Sequence, residues 1–218
     1  YGMRQLQNLD GSYSWWPGMQ GSLYMTVEVT EMLQRLNTMI GEQPATSQMI
    51  NQSMKYLSDE VAENVADLKK LEKQGIKNLL PDETSIRYLY ICALRNSGLD
   101  IPNSKYLIKL LEKRSNVFTI YGKAKMAVIF AKCGNKELAN QYLASIKEYS
   151  VYTDEMGRYF DTDRAEYSWF DYKIPTEVAA IEALKLVSPN DKQTIAEMQR
   201  WLLQSKRTQN WDTPINCV

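Results

Sequence analysis

Between Ser22 and Met39 the apolar residues Met25, Val29, Met32, Leu33 and Leu36 fall at offsets 0, 4, 7, 8 and 11. That spacing lines one face of an α-helix and predicts an amphipathic helix there. A longer helix is predicted from Ala45 to about Lys73, with Ile50, Met54, Leu57, Val61, Val65 and Leu68 on one side and many charges elsewhere. Such a helix belongs on the outside, half in water. Pro81-Asp82-Glu83 is a start signal, with acidic groups where a helix N-terminus favours them. The helix it opens carries Ile86, Leu89, Tyr90, Ala93 and Leu94 and stops near Gly98.

Shorter helices are predicted at Ser104–Lys113, Ile120–Lys132 and Lys136–Glu148, with a last pair at Thr176–Val187 and Lys192–Gln204. The Ile120–Lys132 segment is apolar nearly all round, so it should be buried on most sides. Gly134-Asn135 and Ser188-Pro189-Asn190-Asp191 have the composition of turns between neighbours. Helices apolar all round alternate with charged ones, which suggests inner helices packed by an outer ring. Two stretches resist helix, Asn8–Gly21 and Ser150–Pro175. The second has the polar and aromatic alternation of a small hairpin. With no linker between them, the segments read as one all-α domain over residues 1–218. The chain opens as if inside the last turn of a helix and closes without a cap, as an excised segment would.

Composition removes more chemistry than it suggests. The 218 residues contain no histidine, so Ser-His-Asp and Cys-His nucleophile systems and His-ligated zinc are excluded. Lys and Arg number 26 and so do Asp and Glu, giving no general attraction to nucleic acid or anionic lipid. No run is long and apolar enough for a membrane span. Cys92, Cys133 and Cys217 lie far apart, without the spacing of a disulfide framework or a metal knuckle. Cys92, within Leu89–Leu94, reads as a small buried hydrophobe. No phosphate-cradling loop is present, and no metal or cofactor is expected.

The two irregular stretches hold the candidate site. Trp15 and Trp16 lie in the first, Tyr159, Trp169 and Phe170 beside Asp171 in the second, and Trp211 near the C-terminus. Two readings stand: a stacking platform for sugar, base or peptide, or rings that plug the end of a helical barrel and bury large area. Asp10, Asp154, Glu155, Asp161, Asp163, Glu166, Asp171 and Glu177 accompany them. A glycosidase needs two carboxylates facing across a sugar ring, one with a raised pKa. The ordinary role of such residues is loop solubility and turn or cap hydrogen bonding.

Tyr1 to Leu36 resembles a known family in its Gln5-Leu6 helix end, Asp10-Gly11-Ser12-Tyr13-Ser14-Trp15 block, glycine-containing loop and helix with an early Thr26. A second match takes in Gly157-Arg158-Tyr159-Phe160, the Trp169 block, Thr176-Glu177, Trp201-Leu202-Leu203, Lys206-Arg207 and Trp211-Asp212-Thr213. Both are similar to the thioester-type helical domain of bacterial alpha-2-macroglobulins. The resemblance implies an α/α toroid of inner and outer helical hairpins, truncated at its ends, in a large protein of the periplasm or cell envelope. It implies neighbouring domains of the same polypeptide, and proteases, as partners.

The family's reactive centre, Cys-x-Glu-Gln, is absent at all three cysteines. Ile40-Gly41-Glu42-Gln43 copies its last three letters with Ile in place of the sulfur, on the wrong side of the Asp-Gly-Ser-Tyr block. This chain by itself is therefore expected to form no thioester and to be a non-catalytic interaction domain. The rival is a toroid glycosidase or lyase using Glu166 or Asp171 with Asp10, and Trp15, Trp16 and Trp169 as sugar platforms. A terpenoid-cyclase-type enzyme ranks last, for want of its Asp-rich acid motif.

Overall fold

The computed structural model describes residues 2–95, 98–114, 118–161 and 173–208. It is mostly helical, with eight α-helices and one two-stranded hairpin among the described residues. The chain folds as two compact units, Tyr1–Asn116 and Val117–Val218.

The first unit opens with a 3-10 turn, Met3–Leu6, where the sequence suggests a helix end. Four helices follow: α1 (Leu23–Ile40), α2 (Pro44–Lys73), α3 (Glu83–Leu94) and α4 (Ser104–Glu112). Side chains satisfy the free N–H groups at two starts: Ser22 accepts from Met25 N–H at α1, and Asp82 from Ser85 N–H at α3. α2 has Pro44 in its first turn, where no N–H partner is lost. α1, α2 and α3 pack against one another. α2 buries the expected stripe of Ile50, Met54, Leu57, Val61, Val65 and Leu68 and leaves its charges in water.

The Asp10–Ser14 block is a structural device. Asp10 Oδ1 accepts from the Ser12 N–H at 3.0 Å and from its hydroxyl at 2.6 Å. Tyr13 is fully buried, bridges to both Gln7 and Ser22, and donates its N–H to Thr26 Oγ1 at 2.9 Å. The block therefore ties the entry loop to the first turn of α1, which accounts for an early threonine in that helix. Gly11 has φ +90° and lies on the α2 backbone, where a Cβ would overlap the Gln52 carbonyl.

The second unit contains α5 (Ile120–Lys132), α6 (Lys136–Glu148), β1 (Ser150–Thr153), β2 (Gly157–Phe160), α7 (Lys173–Val187) and α8 (Lys192–Thr208). Thr119 and Asn135 cap α5 and α6. α5 packs on α6 and α7 and is buried nearly all round, as its composition predicts; Met126, Ala127, Ile129 and Phe130 are each fully inaccessible. The strands pair antiparallel, Ser150 with Phe160 and Thr153 with Gly157, and β2 rests on α8.

Gly11 and Gly134 both have φ +90°, but a Cβ at Gly134 meets nothing within 4 Å. Gly134→Ala should therefore cost only backbone strain, about 1 kcal/mol. Gly11→Ala adds displacement of the α2 backbone and should cost at least about 2–3 kcal/mol more, checked by urea unfolding of the two variants.

Candidate functional site

Trp15 is 55% and Trp16 68% exposed, against the expectation that these rings bury large area. The physical reason lies in the turn that carries them: the Ser14 hydroxyl donates to the Trp16 carbonyl at 2.7 Å, within a loop whose buried anchor is Tyr13. Trp15 instead stacks on Tyr24 of α1, centroids 6.2 Å apart and planes 16° from parallel. Tyr24 begins a line of exposed residues along α1, continuing through Met32, Leu36, Met39 and Ile40. Its buried side holds Thr26, Thr30, Glu31, Gln34 and Asn37 beside Val27, Val29 and Leu33.

That inversion has a charged cause. Arg87 of α3 is buried and binds Glu28 at 2.7 Å and Glu31 at 3.1 Å. Burial works against its charge, but Glu31 and Glu28 more than offset it and hold its pKa above the ordinary arginine value. Thr30 and Ser53 hydroxyls meet at 2.9 Å between α1 and α2. Of the five residues whose spacing predicts one inward face, Val29 and Leu33 are buried, while Met32 and Leu36 face solvent.

Cys92 is buried, and burial pushes its thiol up to about 12. It borders a surface hollow of about 350 Å³ with Asn51, Tyr88 and Arg95. A thiol so poor in thiolate is a weak nucleophile. Cys133 is exposed at the end of α5, and Cys217 is outside the described residues.

In the second unit Tyr159 stacks on Trp201 of α8 at 6.2 Å, and Phe160 is buried beneath the hairpin. Arg158 is a hub: its Nε donates to Glu197 at 2.6 Å, its Nη1 to Ser150 at 2.9 Å, and its guanidinium lies over the Tyr152 ring. Trp169, Phe170, Asp171 and Trp211, with Glu166 and Asp163, fall outside the described residues.

Several carboxylates have the ordinary roles their loops suggest. Asp10 is held below its usual range by the Ser12 hydroxyl, and Asp191 by Lys147 at 2.7 Å. Asp154 accepts from the Tyr152 hydroxyl. Glu177 departs from the expectation of a loop or cap role. It lies in α7, fully inaccessible, and neither carboxyl oxygen has a hydrogen-bond partner among the described residues. Burial pushes its pKa up to about 9, against a lowering influence of Arg158, whose charge is already shared with Glu197. It is therefore a neutral acid at pH 7. Among the described residues no group of three or more His, Cys, Asp or Glu is placed to hold a metal ion, and no helix is long and apolar enough to cross a membrane. No protein-family model matches the chain, and no curated protein matches it.

The sign of the Glu177 effect is definite. An acid raised from 4.5 to about 9 on folding contributes stability that is full below pH 4.5 and is lost as pH rises towards 9. The slope has a ceiling of about 1.4 kcal/mol per pH unit. Unfolding midpoints should fall between pH 5 and 9, and Glu177→Gln should flatten that decline. By the same linkage Tyr13 and Tyr142, raised by burial from 10 to about 12, act only above about pH 10, and Cys92, raised from 9 to about 12, only at the upper edge of the range.

Proposed function

We propose that this chain is a non-catalytic interaction domain, an α/α toroid, of a bacterial alpha-2-macroglobulin-like protease-trapping protein acting outside the cytoplasm. The observation that carries the reading is the exposed apolar face of the first unit, from Trp15 and Trp16 through Tyr24 to Met39 and Ile40. Isolated exposed apolar residues are ordinary, but a connected patch of this size marks a surface meant for a partner.

The Asp10–Ser14 block, which carries the resemblance most specifically, supports the same view. Its hydrogen bonds are spent on fixing a loop to a helix start, a packing role. The repeated helix-turn-helix rhythm fits a toroid, whose hairpins bury their apolar faces on one another. In this reading the domain packs against neighbouring domains of its polypeptide and changes its contacts when a protease cleaves elsewhere in that protein. The chemistry of trapping is steric, so the domain needs no catalytic pair and no cofactor.

Two measurements test it. The isolated chain should show its full sequence mass under denaturing conditions and gain nothing on methylamine treatment. A deficit of one ammonia, or a methylamine adduct, would contradict the absence of a thioester. In the parent polypeptide, a captured protease should keep its activity on a small chromogenic peptide and lose it on a large protein substrate. Equal activity on both would sink the trapping role.

A further inference from the structure

We propose that the end of the first unit where α2 finishes beside α4 docks an acidic segment of a partner protein. The chain as a whole is neutral, but this end is not. Residues 69–80 and 104–114 hold eight Lys and Arg against two acids, Glu72 and Glu112. Lys105, Lys109 and Lys113 recur every four residues, so they line one side of α4 about 6 Å apart along its axis. All three are exposed, as are Lys70, Lys73 and Lys77 at the end of α2. None of these residues belongs to α1, so this surface stands or falls apart from the one proposed above.

Side chains join the two helix ends. The Tyr106 hydroxyl donates to Glu72 Oε2 at 3.1 Å, Lys69 Nζ lies 5.1 Å from the centre of the Tyr106 ring, and Arg114 Nη1 donates to the Asn78 carbonyl at 3.3 Å. Beside these contacts is a hollow of about 370 Å³, lined by Lys77, Lys113 and Arg114 together with Ile76, Leu79 and Leu110. Glu72 also lines it, but already accepts from Tyr106. Lys77 and Lys113 have no acidic partner among the described residues. Arg114 Nε is hidden from water and has no hydrogen-bond partner among them either. The hollow therefore carries a surplus of positive charge and an unspent donor, which an anion would satisfy.

Basic residues at a helix end commonly serve its free carbonyls. Here the backbone supplies those donors. The N–H groups of Gln74, Gly75 and Ile76 reach the carbonyls of Lys70, Glu72 and Leu71, and those of Lys113 and Arg114 reach Leu110 and Leu111. The lysine side chains are thus left for something outside the unit. A flat anionic bilayer would bridge the hollow without filling it, whereas a projecting carboxylate enters it. The wall of Ile76, Leu79 and Leu110 takes aliphatic groups between such carboxylates. A partner helix with acids four residues apart matches the row on α4. The occupant is therefore an acidic, partly aliphatic protein segment, complementary in charge to this end.

Fluorescence anisotropy of the full chain with a short peptide of Glu and Leu, carrying a neutral dye, tests the proposal. Binding is expected, weakening about tenfold as salt rises from roughly 50 to 300 mM, and lost when Gln replaces Glu in the peptide. Lys77→Glu with Lys113→Glu, both at exposed positions, should keep the helical spectrum and thermal midpoint and weaken binding about 30-fold or more. Lys77→Gln with Lys113→Gln should weaken it less. Lys185→Glu with Lys192→Glu makes the same change of net charge in the second unit and should leave affinity within about twofold. Failure to bind the Glu peptide, equal binding of the Gln peptide, or an equal loss in the second-unit variant overturns the proposal. So does a preference for phosphatidylglycerol vesicles over the peptide.

Discussion

Arg87 lies between α1 and α3 with Glu28 and Glu31 on its guanidinium, and its surroundings follow from the cost of hiding that charge. A buried ion stripped of a partner costs several kcal/mol, so α1 is held in the rotation that presents both glutamates to α3. Glu28 and Glu31 are three residues apart and share a side of the helix. Once they turn towards Arg87, Gln34 and Asn37 follow them inward, and Met32, Leu36 and Met39 are carried outward. The apolar surface of the first unit is thus a consequence of an ion pair inside it. That arrangement is tolerable for stability because Val27, Val29 and Leu33 still supply apolar contact on the inner side.

Local signals made most of the helices legible. Ser22, Asp82, Thr119 and Asn135 cap the helices they precede, and Gly134-Asn135 marks the turn from α5 into α6. The composition of α5 announced its burial, and the aromatic alternation after Ser150 announced the hairpin. These features depend on neighbours within a few residues, where spacing and turn chemistry decide.

The candidate surface was less legible, for a different reason. Met25, Val29, Met32, Leu33 and Leu36 fit a single helix face, and nothing among them says that Arg87, more than fifty residues later, will claim the other side. Glu177 poses the same difficulty. In sequence it stands beside a run of loop carboxylates; its burial depends on α5, α6, α8 and β2 closing round α7. Trp15 and Trp16 read equally well as plug or platform, because the turn that points them outward is set by Tyr13 burying itself beneath Thr26.

The two units handle misplaced polarity in opposite ways, and this separates surface from core. In the first, a charge is buried with its counter-charges, and the displaced apolar side chains become available to a partner. In the second, Glu177 is buried while Arg158 is spent on Glu197, so the carboxyl stays protonated. A glycosidase would need such a raised acid opposite an ionised carboxylate across an open cleft. A fully inaccessible Glu177 has no route to a sugar, and the Glu166 and Asp171 of the glycosidase reading lie outside the described residues. The raised acid is therefore a feature of packing, and the exposed strip of α1 is the better place to look for what the chain binds.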